Sequence, residues 1–122
     1  MAKIIVADDS KLMRGLLKGA LEGMGHEVEE WPEVSAVEVA ERLSASTAEL
    51  IITDYQMPGC NGLTLSKLAL KARPGLPIIV LTASRDPSIL EPLRKVGVPM
   101  ILHKPIQIKI LGEIVAQCLG PA

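Results

Sequence analysis

Aromatic side chains are nearly missing from this sequence: Trp31 and Tyr55 stand alone, and there is no phenylalanine in 122 residues. A core must therefore be assembled from Leu, Ile, Val, Met and Ala. Ligands that depend on ring stacking, such as flavins or single-stranded bases, lose their usual platform. Cysteine is scarce as well. Cys60 and Cys118 make neither a disulfide framework nor a metal-ligand spacing. Both read as structural, Cys118 on an apolar helical stripe and Cys60 exposed in a loop. Long hydrophobic runs are also absent. The longest, around residues 76–83, falls far short of the roughly 18–20 needed to cross a bilayer, and no charged-then-apolar leader opens the chain. Charge of one sign is not concentrated anywhere. The net charge is −1 with a pI near 6.1, and Lys and Arg form no run longer than two or three. A nucleic-acid footprint is not supported. The expectation is a cytoplasmic protein with neither a nucleic-acid nor a membrane partner.

What is present is a globular composition, 48% hydrophobic and 22% charged, with room for one domain spanning residues 1–122. Short apolar runs alternate with longer stretches of helical period. Ile4-Ile5-Val6-Ala7 ends in Asp8-Asp9-Ser10, Leu50-Ile51-Ile52-Thr53 ends in Asp54, Ile78-Ile79-Val80-Leu81 ends in Thr82, and Met100-Ile101-Leu102 ends in His103-Lys104-Pro105. Such continuous runs suit strands buried on both faces. Val28–Trp31 is a weaker, more polar run, as an edge strand would be. Between them, Met13, Leu16, Leu17, Ala20, Leu21 and Met24 mark one face of a helix with Arg14, Lys18 and Glu22 outside, Ser10 as N-cap and Gly25 as stop. A poorer helix covers Val34–Leu43, a third Leu63–Lys71 closed by Pro74-Gly75, a fourth Ile89–Val96 and a fifth Leu111–Cys118. Strict βα alternation predicts an α/β fold, a doubly wound five-stranded parallel sheet with helices on both faces.

Ligands in open α/β sheets bind beyond the C-terminal strand ends, where strand order reverses. The residues at those ends are Asp8, Asp9, Asp54, Thr82 and Lys104. In the flavodoxin-like order 2-1-3-4-5 the first and third strands are neighbours, with tips roughly 5 Å apart. Three carboxylates then share one crevice, where they repel unless a cation joins them. A hard divalent ion, Mg²⁺ above all, fits oxygen ligands. Lys104 adds a point charge and Thr82 a hydroxyl, both suited to phosphate oxygens. The set describes a phosphoryl-transfer site with an aspartate nucleophile. Each member has a plainer reading: Asp9-Ser10 as a helix cap, Asp54 as a turn opener, Thr82 as a cap, Lys104 as a solvated lysine. Their joint placement, one at each strand end, is what favours the chemistry.

Asp8-Asp9, Asp54 within Asp54-Tyr55-Gln56-Met57-Pro58-Gly59, Thr82-Ala83 and Lys104-Pro105 together resemble the receiver domain of bacterial two-component response regulators, over residues 3–119. The resemblance implies that Asp54 is the phosphoacceptor, served by a histidine kinase or a histidine phosphotransfer protein, and that a downstream protein or effector domain reads the result. It implies that Asp9, Asp54 and the Gln56 backbone carbonyl hold Mg²⁺, with Asp8 acting through water. Thr82 and Lys104 contact the phosphoryl group, and Lys104-Pro105 is a cis peptide bond. Phosphorylation would draw Thr82 inward and rearrange residues 83–87 and the surface of the fourth helix, fifth strand and fifth helix. Gln56 and Ser84 occupy the positions that set the phosphoryl lifetime. Such a domain modifies itself and does not turn over an external substrate.

The sequence departs from the family pattern at the switch. Three residues before Lys104, where an aromatic is usual, stands Ile101. Pro87 and Pro92 both fall in the fourth helical segment, where an interior proline costs about 3 kcal/mol, so a short, kinked or mobile helix is expected. His103 replaces a usually apolar residue and reads as a partly exposed strand-end histidine.

Three other functions compete for the same residues. A haloacid-dehalogenase-like phosphatase wants two aspartates spaced by one residue and a cap domain, whereas here they are adjacent and the chain has no room for a cap. A flavodoxin-like electron carrier wants a Ser/Thr-rich phosphate loop and aromatics. An interaction module that signals without phosphorylation is kept open by Ile101 and opposed by the intact acidic pair, Asp54, Thr82 and Lys104. A stand-alone protein and a receiver within a longer regulator or hybrid kinase both fit, with Met1 favouring an N-terminal position.

Overall fold

The apolar runs become strands in the computed structural model, which describes residues 2–120; Met1, Pro121 and Ala122, the outer ends of the expected 1–122 unit, lie outside the described residues. The strands are β1 (Lys3–Ala7), β2 (Glu27–Trp31), β3 (Leu50–Asp54), β4 (Ile78–Thr82) and β5 (Met100–His103). They pair in parallel in the order β2-β1-β3-β4-β5, as the alternation predicts. The helices are α1 (Lys11–Gly23), α2 (Val39–Ser44), α3 (Gly62–Ala72), α4 (Pro87–Val96) and α5 (Ile108–Leu119).

Strand side chains divide between two apolar layers because successive residues point to opposite faces. Ile5, Ala7, Ile51, Ile78 and Val80 pack with residues of α2, α3 and α4, while Ile4, Val6, Ile52, Ile79 and Leu81 pack against Leu17, Leu21, Leu111 and Val115 of α1 and α5. Burying each such side chain contributes about 1.5–3 kcal/mol.

Several expectations are corrected. Leu16, placed on the buried face of α1, is 56% exposed, and Leu12 beside it 76%; only Leu17 and Leu21 of that helix are fully buried. The segment after Trp31 forms a 3-10 turn, Ala36–Glu38, before a six-residue α2, so the helix expected from Val34 starts later. Pro87 is not interior. It opens α4 at the first helical position behind the Asp86 cap, where its missing N–H is not needed. The helix then continues through Pro92 for ten residues in all, so it is not short. Cys60 is buried, 3% exposed, against the expectation of an exposed loop thiol, and Cys118 is only half-buried. β5 is half-buried at all four positions because it forms the second edge of the sheet rather than an interior strand.

Candidate functional site

The site grows from the ends of β3, the central strand, and its neighbour β1. Ala7 pairs with Thr53 in the β1–β3 register, so Asp8 and Asp54 leave adjacent strands at nearly the same level. Asp8, Asp9 and Asp54 each place a carboxylate oxygen so that all lie within 4.8 Å of one another. Asp8 is 1% and Asp54 9% exposed, whereas Asp9 faces solvent.

Short local bonds fix this geometry. Ser10 N–H donates to Asp8 Oδ1 at 2.8 Å, and the Ser10 hydroxyl accepts from Met13 N–H to cap α1. The Asp8 backbone is held on both sides: its N–H donates to the Trp31 carbonyl at 3.3 Å, and its carbonyl accepts from Arg14 Nη1 at 2.9 Å. Arg14, expected on the outer face of its helix, is a site-supporting residue that composition and spacing did not reveal. Its place four residues after Ser10 on a capped helix, over the Asp8 carbonyl, was the available signal. Asp54 is set by a close approach. A Cβ on Gly62 would stand 2.9 Å from Tyr55 Cα and 3.0 Å from the Asp54 carbonyl oxygen, so only glycine lets α3 start there.

Burial pushes the Asp8 carboxyl above its ordinary 3.8; the Ser10 N–H works against that rise, and the charge of Asp54 adds to it. Asp8 Oδ2 is buried with no hydrogen-bond partner among the described residues. A buried, unpartnered carboxylate oxygen facing two further carboxylates is the arrangement that a hard divalent cation resolves. The donor set therefore fits Mg²⁺.

Lys104 Nζ donates to Asp54 Oδ1 at 2.9 Å, which brings the β5 end to the same crevice. The Lys104-Pro105 bond is cis, as expected. The backbone of Lys104 is fixed by its N–H to the Thr82 carbonyl, 2.9 Å. Thr82, 4% exposed, makes no hydrogen bond to Asp54. Its hydroxyl accepts from Ser84 N–H at 3.0 Å, and the Ser84 hydroxyl accepts from Asp86 N–H at 3.1 Å. Gln56 lies exposed in the loop after Asp54. The structure thus gathers Asp8, Asp9, Asp54 and Lys104, while Thr82 joins them only through its backbone carbonyl, which accepts from Lys104 N–H. Beside them lies a groove of about 770 Å³ lined by Asp9, Lys11, Arg14, Val34, Met57 and Pro58 among others.

The family profile described as response regulator receiver domain matches residues 4–116. The chain belongs to the response regulator receiver family. The receiver is 36% identical to the DNA-binding transcriptional regulator NtrC of Azospirillum brasilense over 119 residues, covering 98% of this chain and 24% of that protein. It is 33% identical to the chemotaxis protein CheY1 of Helicobacter pylori, covering 97% of each. Among solved structures it superposes on the Vibrio cholerae chemotaxis protein CheY4 with a TM-score of 0.87 at 26% identity, covering 98% of this chain and 99% of that one. The receiver thus spans about a quarter of the transcriptional regulator and nearly all of the chemotaxis proteins. It is a domain of two-component signal transduction; receiver domains of this family act as signalling modules, and the family binds Mg²⁺ at an acidic pocket of the kind Asp8, Asp9 and Asp54 form.

Proposed function

We propose that residues 1–122 act as one cytoplasmic receiver domain that takes a phosphoryl group from a phosphohistidine onto Asp54. The observation that carries this reading is the convergence of three carboxylates with Lys104 on Asp54, at the C-terminal end of a parallel sheet. Asp8, Asp9, Asp54 and the Gln56 backbone carbonyl would hold Mg²⁺, which supplies positive charge against the phosphoryl oxygens when bound.

The chain's own residues do the rest. Lys104 occupies Asp54 Oδ1, so the other carboxylate oxygen is the one free to attack phosphorus. The new O–P bond forms as the N–P bond of the donor breaks, and the electron pair leaves with the imidazole. Asp54 carries no net charge gain before that step, but afterwards an acyl phosphate stands in its place. Lys104 then transfers its hydrogen bond to a phosphoryl oxygen. Thr82 donates its hydroxyl proton to another, and the Ser84 N–H it accepts carries that movement into the Ala83–Asp86 turn and the Asp86 cap of α4. The α4–β5–α5 surface changes shape, and a downstream protein or effector domain with different affinity for the two shapes reads it. In this reading the donor, a histidine kinase or histidine phosphotransfer protein, docks on the exposed Leu12 and Leu16, one turn apart on α1.

Intact mass after incubation with acetyl phosphate and Mg²⁺ tests the reading. One added phosphoryl group in the wild type, absent from Asp54→Asn and absent without Mg²⁺, is expected. Equal uptake by Asp54→Asn would overturn Asp54 as the phosphoacceptor; no uptake by a folded wild type that also fails to form a beryllofluoride adduct would overturn the reading in favour of an interaction module that signals without phosphorylation.

A further inference from the structure

Ile101 leaves the fifth strand without the aromatic ring usual at that position, yet a ring is present two residues on. Along β5, Met100 and Leu102 pack with the α1–α5 layer, while Ile101 packs with the opposite layer that contains Val80. Alternation therefore puts His103 on the side of Ile101. Val80 shares that layer, so Thr82, two residues beyond it on β4, faces the same side. Thr82 and His103 are direct partners in the β4–β5 register, and neighbouring strands lie roughly 4.8 Å apart.

The hydrogen-bond accounting at this pair is incomplete on both members. His103 Nε2 is buried and has no partner among the described residues, although the side chain as a whole is half-buried. The Thr82 hydroxyl accepts Ser84 N–H, and its own proton has no acceptor among the described residues. A neutral imidazole protonated at Nδ1 offers Nε2 as an acceptor. An unassigned proton and an unassigned acceptor thus occupy paired positions on one face of the sheet.

Resting on the phosphoacceptor reading above, we propose that His103 is a positioning residue for Thr82: a bond the structure leaves unmade, from the Thr82 hydroxyl to His103 Nε2, forms on side-chain rotation while Asp54 is unphosphorylated, and a phosphoryl oxygen on Asp54 competes for that proton. Transfer of the proton's hydrogen bond from His103 to the phosphoryl group releases the ring at the half-buried edge strand. The state of Asp54 is thereby passed to the β5 surface without an aromatic at Ile101.

The chain holds two histidines, which makes its imidazole ¹H–¹⁵N spectra simple to assign. His26 accepts from Ala2 N–H at 3.3 Å beyond the other end of the sheet and serves as the internal control. Spectra with Mg²⁺ alone and with Mg²⁺ plus beryllofluoride are compared, with the ¹⁹F spectrum reporting the adduct. The expected result is a shift of His103 Nε2 on adduct formation with His26 unmoved. That response should be lost in Thr82→Ala, whose resting Nε2 signal is already displaced, and kept in Thr82→Ser, which retains the hydroxyl. An adduct that leaves His103 unmoved, or an equal His103 shift in Thr82→Ala, overturns the proposal while leaving the phosphoacceptor reading intact. Absence of any adduct overturns both.

Discussion

The two edges of the sheet are built in opposite ways. At β2 the edge is stapled. Glu29 accepts from Trp31 Nε1 at 2.7 Å and from the Ser46 hydroxyl at 2.8 Å, and pairs with Lys3 at 3.5 Å. Glu30 takes Arg14 and Lys18 from α1 at 3.2 and 3.3 Å, and Arg42 lies over the Trp31 ring at 4.3 Å. At β5, no side chain of the strand makes a hydrogen bond among the described residues until Lys104 reaches Asp54. The next helix inward, α4, contains a proline that removes a backbone donor. The difference separates two tasks. Metal and phosphoryl chemistry need carboxylates fixed to fractions of an ångström, and the stapled edge holds the Asp8 backbone through Trp31 and Arg14. A signal needs an element that can move at low cost, and an unstapled edge strand beside a proline-bearing helix supplies one.

The largest effect is expected on the bond that joins the two halves. Lys104→Met should leave the fold intact and slow phosphoryl uptake from acetyl phosphate by about 10²–10³-fold, the usual consequence of removing one preorganised charged donor. Time-resolved intact mass gives the rate. Next comes the sheet centre. Ile52→Ala, at a position fully out of solvent, should cost about 2–5 kcal/mol in denaturant unfolding, whereas Ile101→Ala on the half-buried edge should cost less than half as much. Equal costs would erase the contrast between centre and edge.

Smaller again is the loss of a staple. Glu29→Ala leaves Trp31 Nε1 buried without its acceptor and should cost about 1–3 kcal/mol. It should also weaken Mg²⁺ binding through the Trp31–Asp8 backbone bond, read by titration of Trp31 fluorescence. The smallest effect concerns Asp8. Its folded-state value is raised above 3.8 chiefly by burial, so the stability it lends is present below 3.8 and lost as pH rises through the raised value. At neutral pH and without Mg²⁺ its charge is therefore a cost. Asp8→Asn should raise Tm by a few degrees there, with the gain vanishing both near pH 3.8 and at saturating Mg²⁺. A lower Tm at neutral pH without the metal would contradict the account of the acidic cluster.

The contrast between the edges also explains what was legible in the sequence. Strands buried on both faces must be apolar throughout, so Ile4–Ala7, Leu50–Thr53 and Ile78–Leu81 announced themselves, and the polar residues that ended each run were those at the crevice. Lys104, which follows the β5 run, reaches Asp54 for the same reason. The staples were not legible, because Glu29, Glu30, Arg14 and Arg73 look like solvated charges until the fold brings their partners to them. Arg73, for example, caps the end of α2 by donating to the carbonyls of Leu43, Ser46 and Ala48, 25 to 30 residues away in sequence. Cys60 was misplaced because a loop residue after a proline has no periodicity to show that it turns inward. Leu16 was misplaced because a helical stripe is wider than the face it buries when the helix lies on the outside of a small sheet.

Hydrogen exchange, read by mass spectrometry with Mg²⁺ alone and with Mg²⁺ plus beryllofluoride, tests most directly whether one edge is fixed and the other moves. The account predicts that formation of the adduct changes exchange in residues 83–96 and 100–103 while β1, β2 and β3 stay as they were. Equal changes in β2 and β5, or a response confined to the β2 edge, would contradict it.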